Sequence, residues 1–295
     1  MTFSEKLKTI RKQAGLSQER LAEKLNVSRQ AITKWESETG LPDIENIMAI
    51  SALFNISVDE LLSDEKEIKV KDDYLFESIT EYDIDNHKDY DLKFGGAKRI
   101  VLSGYDGEKL RVRLVSNTLS TLQSDFKIKI DDEKSRVDVD VKRKNDVTEA
   151  IAKENVTAFI LIPAPYIGKI ELTVNAQTVE LSSLKCDSVE LDLKTQNMII
   201  ENVIGSVEVN CNLDMNIVCG SLNGNISINQ ISSTSKISIP DGTVFSAVAK
   251  GIKTSISYEK NGNPADAFDS QNSDNTIELN GMKSELIICS YEKEA

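Results

Sequence analysis

A chain of 295 residues, 40% of them hydrophobic and 28% charged, is long enough for two ordinary domains and too apolar to stay unfolded. Its formal net charge of −13 argues against indiscriminate coating of nucleic acid, which is almost wholly electrostatic. The charge is uneven: residues 1–62 hold 8 basic and 9 acidic residues, leaving 27 basic and 39 acidic residues in 63–295, a net of −12 there.

The opening "MTFSEKLKTIRKQ" reads as an amphipathic helix, not as a signal peptide. The longest apolar stretch, around "AFILIPAP" at 158–165, is too short to span a bilayer and is cut by prolines. A cytoplasmic protein without membrane contact is expected. Cys186, Cys211, Cys219 and Cys289 form no C-x-x-C pair, and the one histidine, His87, lies far upstream, so zinc is not expected. Buried, reduced thiols are the expectation, with redox sensing as the alternative.

In chain order, Thr2 with Glu5 makes a capping box for a first helix carrying Phe3, Leu7 and Ile10, which Gly15 stops. Ser17 caps a second segment with Leu21, Ala22 and Leu25, and Asn26-Val27 turns into a third capped by Ser28. After Gly40 and Pro42, Asp43 caps a fourth helix with Ile47, Ile50, Leu53 and Phe54, and Ser57 with Glu60 caps a fifth. Five helices around one small core are thus expected in residues 1–62, with no spare apolar surface once their stripes are buried.

On a wheel of about 100° per residue starting at Arg29, Ala31, Ile32 and Trp35 fall between about 200° and 300°. Arg29, Thr33, Ser37, Gln30 and Lys34 occupy the arc from 0° to about 140°. Arginine and lysine donate to guanine, glutamine pairs with adenine, and a threonine methyl can touch thymine. An amphipathic helix alone need bind nothing. Two short helices joined by a tight turn, with the small Ala22 at the crossing, form the helix-turn-helix arrangement that places its second helix in the major groove.

Residues 16–62, "LSQERLAEKLNVSRQAITKWESETGLPDIENIMAISALFNISVDELL", resemble the Cro/repressor type (lambda-repressor-like, XRE family). The resemblance implies that Gln18 holds a phosphate and buttresses the recognition helix. It also implies that Ser28, Arg29, Gln30, Thr33 and Lys34 face the groove or its rim, and that Ala22, Leu25, Ile32 and Trp35 are core. The outward arc adds Ser37 to this double-stranded-DNA-binding set, with Lys8, Arg11 and Lys12 of the first helix nearby in sequence.

"SDEKEIKVKDD" begins a charged linker and docking segment, 63–91. Within it, Leu75, Phe76, Ile79 and Tyr82 are spaced for a helix face, in a segment short enough to be a strand or a docking arm instead. A β domain is expected over 92–295. "KRIVLSGYDGEKLRVRLV" and "FKIKIDDEKSRVDVDVKRK" alternate apolar and polar residues around turns and read as antiparallel strands. A repeat follows: strands begin at 170, 189, 207 and 226, with a second series at 179, 199, 217 and 237. A period of about 19 residues suits a β-solenoid, expected to be right-handed, with Gly205, Gly220 and Gly224 at corners. A β-sandwich is the alternative. Residues 98–290 also resemble, diffusely, the bacterial adhesin-type β-solenoid domain.

No nucleophile motif, phosphate loop or metal cluster is legible, so neither enzyme activity nor a cofactor is expected. The whole reads as a DNA-binding regulator whose β domain senses an unidentified ligand or protein, or pairs two chains as a homodimer through 74–84 or an exposed solenoid end. The alternative is a scaffold whose β domain binds a protein or glycan while the head tethers it to DNA.

Overall fold

A computed structural model describes residues 2–13, 16–37, 39–54, 58, 74–144, 146–270 and 273–292. The chain divides into two compact units, Met1–Asp73 and Tyr74–Ala295.

The first unit is helical, with α1 Phe3–Gln13, α2 Gln18–Leu25, α3 Arg29–Glu36 and α4 Ile44–Phe54. Each start is fixed by the residue read as its cap. The Glu5 amide donates to the Thr2 hydroxyl at 3.3 Å while the Thr2 amide donates to the Glu5 carboxylate at 2.9 Å. Ser17 accepts from the Arg20 amide, Ser28 from the Ala31 amide, and Asp43 from the Asn46 amide. Asn26 ends α2 in the left-handed region at φ 55° and so turns the chain into α3 within two residues. Leu7, Leu21, Ile32 and Ile50 are fully buried at the centre, with Trp35 6% exposed beside them. Of the fifth helix expected from Ser57 and Glu60 only Val58, helical, is described, and the linker at 63–73 lies outside the described residues. The expectation of no spare apolar surface fails: Leu41, before α4, and Ile44 and Met48, off the expected stripe through Ile47 and Ile50, are exposed.

The second unit is a large all-β domain. Its strands are β1 Phe76–Asp83, β2 Lys88–Tyr105, β3 Lys109–Ser116, β4 Phe126–Glu133, β5 Arg136–Arg143, β6 Thr157–Pro163, β7 Ile167–Ser182 and β8 Lys185–Lys194. There follow β9 Asn197–Glu201, β10 Ile204–Asn210, β11 Asn216–Cys219, β12 Asn225–Ile231, β13 Thr234–Pro240, β14 Ser246–Lys260, β15 Asn263–Ala265 and β16 Thr276–Tyr291. Two short helices, α5 Leu122–Asp125 and α6 Glu149–Asn155, lie between strands.

The segment with no single sequence reading is the strand β1, inside the stretch expected to be linker and docking segment. It pairs antiparallel with β3 along its length, and Glu77–Arg113 (2.9 Å) and Glu81–Arg111 (2.7 Å) lock the register. β4 and β5 form the expected hairpin, but β2 and β3 do not pair directly. The nearly all-apolar β6 lies between them, parallel to β2 and antiparallel to β3. A strand apolar on both faces needs neighbours on both edges, and this displaces the simple hairpin.

The repeat is realised in parallel ladders. Ile170, Val189, Val207 and Ile226 stack in register across β7, β8, β10 and β12. Val179, Met198, Ile217 and Ile237 do so across β7, β9, β11 and β13. In the second ladder the stacked residue is Met198, not Ile199. Side chains alternate, so a slip of one residue would turn buried Met198 and Ile200 outward. The long strands β7 and β16 each pair with both ladders, so the parallel sheet closes into a barrel-like form instead of an open stack of separate coils. β16 enters between β12/β13 and β14, a step of 51 residues from Ile226 to Ile277 that no 19-residue period predicts.

Gly205, at the bulge that opens β10, and Gly224, just before β12, have φ 133° and 132°, where a Cβ would collide with the Cys186 or Gly205 carbonyl oxygen. Gly220 differs, since a Cβ there would meet only the end of the Glu201 side chain. Cys211, Cys219 and Cys289 are buried and Cys186 is half-buried, none in a disulfide. Burial pushes the Cys186 and Cys219 thiols up to about 11, which keeps them protonated at neutral pH.

Candidate nucleic-acid interface

The helix α3 divides as its sequence requires. Ile32 and Trp35 enter the core, Ala31 packs against it, and Ser28, Arg29, Gln30, Thr33, Lys34 and Ser37 are exposed. Ser37 ends the helix, its hydroxyl donating to the Thr33 carbonyl at 2.7 Å. The Thr33 hydroxyl donates to the Arg29 carbonyl at 3.1 Å.

Gln18, at the first turn of α2, is brought to the same face. Its side-chain oxygen accepts from the Thr33 hydroxyl at 3.3 Å, and its side-chain nitrogen donates to Glu36 at 2.8 Å. Both bonds run from α2 to α3, so the amide ties the two helices together. Glu36 is the hub of this tie. Arg11 from α1 grips its carboxylate with two bonds, 2.6 and 3.0 Å, and donates a third to the Leu16 carbonyl at 2.7 Å. The ion pair is withdrawn from solvent, with side-chain exposures of 10% for Arg11 and 3% for Glu36. Burial by itself would push the Glu36 carboxyl up. The hydrogen bonds from Arg11 and Gln18 and the charges of Arg11 and Lys8 together outweigh it and hold the group below its ordinary value.

This network changes one expectation. Arg11 does not add free charge to the outer face, because its guanidinium is spent on Glu36 and Leu16; Lys8 is exposed. Sequence reasoning missed Glu36 as a positioning residue, since its partners lie 18 and 25 residues away and leave no local pattern. Arg29 in turn rests 3.8 Å from Glu19, an exposed pair that a phosphate or base edge could displace at little cost. The site therefore offers a short helix with arginine, glutamine, threonine and lysine outward, and an amide and a buried ion pair setting its tilt. Those groups can donate to phosphate oxygens and read base edges. Among the described residues, no group of three or more His, Cys, Asp or Glu could hold a metal ion.

Residues 7–61 match the helix-turn-helix family HTH_3. The chain is 52% identical over 68 residues to the HTH-type transcriptional activator BcrR of Enterococcus faecalis, a match covering 23% of this chain and 33% of that protein. It is 36% identical over 82 residues to the HTH-type transcriptional regulator ImmR of Bacillus subtilis, covering 28% of this chain and 65% of that protein. The chain thus spans a third to two thirds of the length of these relatives. Among solved structures it is similar to the P22 c2 repressor in complex with a synthetic operator, at 32% identity and TM-score 0.21, over 21% of this chain and 96% of that one. It is also similar to a candidate cell-adhesion protein from Clostridium sporogenes, at 13% identity and TM-score 0.37, over 73% of this chain and all of that one.

Proposed function

Because residues 7–61 form a helix-turn-helix domain of the Cro/repressor (XRE) type, we propose that the chain is a transcriptional regulator that binds double-stranded DNA at specific sequences. One observation carries this reading: Arg29, Gln30, Thr33 and Lys34 share the exposed face of a helix whose other face is locked into the core by Ile32 and Trp35. Gln18 and Ser28 stand at its rim to take phosphates, and Ser37 closes the set.

Replacing Arg29 or Gln30 by alanine is expected to cost about 1–3 kcal/mol at the cognate site, because each removes base-edge hydrogen bonds. Fluorescence anisotropy of a labelled cognate duplex with the full-length protein measures the loss, and thermal melts should be unchanged. Affinity indifferent to both substitutions would sink the assignment of the face.

The β domain is proposed to sense a ligand or to pair two heads, without catalysing a reaction or holding a cofactor. Its ladders, stacked at register steps of 18–20 residues, support reading it as a β-solenoid whose end strands close it, and the coil is proposed to be right-handed. Pairing into a homodimer has support in exposed apolar side chains at three places: Leu41, Ile44 and Met48 of the head, Ile79 and Tyr82 of β1, and Val248 and Ile252 of β14. Two heads would then read half-sites about 34 Å apart or a multiple of it. A cytoplasmic protein fits this role, and among the described residues no helix is long and apolar enough to cross a membrane.

A further inference from the structure

A groove of about 860 Å³ runs across the ladders of the β domain, over the middle of β7 and the C-terminal ends of β8, β10 and β12. Its floor is apolar, with Val174 and Leu193 beneath, and Leu213 and Ile231 stand at its side 41% and 52% exposed. Thr173 and Asp192 also line a smaller pocket of about 220 Å³, so the two form one surface.

That surface is negative and rich in acceptors. Asp91, Glu171 and Glu190, which line the smaller pocket, and Glu208, the next in the row and outside both linings, lie in register on four adjacent strands, β2, β7, β8 and β10, spaced at about 4.8 Å. Asp91 is neutralised by Lys93 and Arg136. Glu171, Glu190, Asp192 and Glu208 are exposed and have no ion-pair partner among the described residues. Beside them Asn210, Asn229 and Asn280 form an amide ladder whose donors are already spent. Asn210 donates to Asp192 at 3.0 Å, Asn229 to Glu208 at 2.6 Å and Asn210 at 2.7 Å, and Asn280 to Asn229 at 3.0 Å. Among the described residues, Lys194 is the one cation lining the larger groove, and Lys93, paired with Asp91, lines the smaller. Like charges directly opposite one another in a ladder destabilise a sheet, and here three follow in succession. Desolvation, and then the charges of Glu208, Asp192 and Glu171, hold the Glu190 carboxyl above its ordinary value despite the hydrogen bond from Asn210.

We propose that this groove binds an extended cationic peptide segment that alternates basic and apolar side chains. Alternate residues of an extended chain point to opposite sides, so one set packs against Leu213 and Ile231 while lysines or arginines lie over Glu171, Glu190, Asp192 and Glu208. The donor-rich ligand meets a wall of acceptors, and its charge relieves the repulsion along the row. A nucleic acid is excluded by the same charge, and a small polyamine would leave the apolar half of the groove empty. The proposal gives the sensing role of the β domain a ligand class, yet the binding it predicts requires no DNA.

The test titrates full-length protein, without DNA, into a fluorescein-labelled short peptide of alternating lysine and leucine. Saturable binding is expected, weakened about tenfold or more by Glu190→Gln with Glu208→Gln, and likewise by Leu213→Ser with Ile231→Ser. Val248→Ser with Ile252→Ser, on β14, should leave it unchanged. Alternating glutamate–leucine should not bind, and lysine–serine and spermine should bind at least about tenfold more weakly. Absence of lysine–leucine binding overturns the proposal. So does binding insensitive to the groove substitutions, equal loss in the β14 variant, or equal affinity for spermine, which would be charge attraction alone. Because no DNA is present, these outcomes are separable from failure of the head to bind an operator.

Discussion

Replacing Trp35 by alanine is expected to unfold the helical head while the β domain stays folded. The indole is 6% exposed and packs in the centre of a core whose fully buried members include Leu7, Leu21, Ile32 and Ile50. Truncating such a side chain costs about 3–5 kcal/mol through lost burial and the cavity left behind. A domain of this size has a total stability of about 3–9 kcal/mol at the usual values per residue, so the loss consumes most or all of it. Hydrogen exchange read by mass spectrometry in the full-length protein gives the local answer. Peptides from α2 and α3 should lose protection, and those from β7 to β13 should keep theirs. Arg29→Ala, on the opposite face of the same helix, should leave protection unchanged. A protected Trp35→Ala head with an unprotected Arg29→Ala head would reverse the two faces.

Glu36→Ala is expected to cost a similar amount, about 3–5 kcal/mol, by stranding the Arg11 guanidinium without its partner in a withdrawn site. Trp35 is the one tryptophan of the chain, so its emission during a urea titration of the full-length protein follows the head alone. The same carboxylate gives the head a pH dependence of defined sign. Its native value is lowered, so its contribution is complete above the ordinary value of 4.5 and is lost as pH falls through the lowered native value. Acidification from pH 5 should therefore move the urea midpoint down in the wild type and less so in Glu36→Gln. Equal acid sensitivity of the two proteins would mean that Glu36 is not the titrating group.

Much of the head was legible because its information is local. Thr2 with Glu5, Ser17, Ser28 and Asp43 cap helices within three residues of themselves, and the wheel of α3 separates Trp35 from Lys34 without any tertiary knowledge. The Arg11–Glu36–Gln18 network was not legible, since three helices must assemble before those side chains meet. The exposure of Ile44 and Met48, off the marked stripe of α4, and of Leu41 before it is not legible, because whether an apolar residue beside a buried stripe is covered depends on neighbours distant in sequence.

In the β domain the 19-residue spacing was visible because in-register parallel stacking rewards the same residue type at each level, as at Ile170, Val189 and Val207. Where pairing departs from chain order the pattern falls silent. β6 enters between β2 and β3, and β16 between β13 and β14, each placed by contacts far apart in sequence. Met198 occupies the level that the sequence series assigns to residue 199, because in the apolar run Met198–Ile200 alternation alone does not fix which of two adjacent residues points inward. The repeat that begins at 170, 189 and 207 already puts Glu171, Glu190 and Glu208 at one position, but only the assembled sheet brings that row beside the groove.

The central claim, that the head reads DNA through α3, is tested most directly by selecting bound duplexes from a random double-stranded library with full-length protein, in parallel with Gln30→Ala. The account predicts that the wild type enriches a defined sequence whose two related halves lie about one helical turn, or a multiple of it, apart. It further predicts that Gln30→Ala either fails to enrich that sequence or relaxes it at one position in each half. No enrichment by the folded wild type, or the same enriched sequence from both proteins, would contradict it.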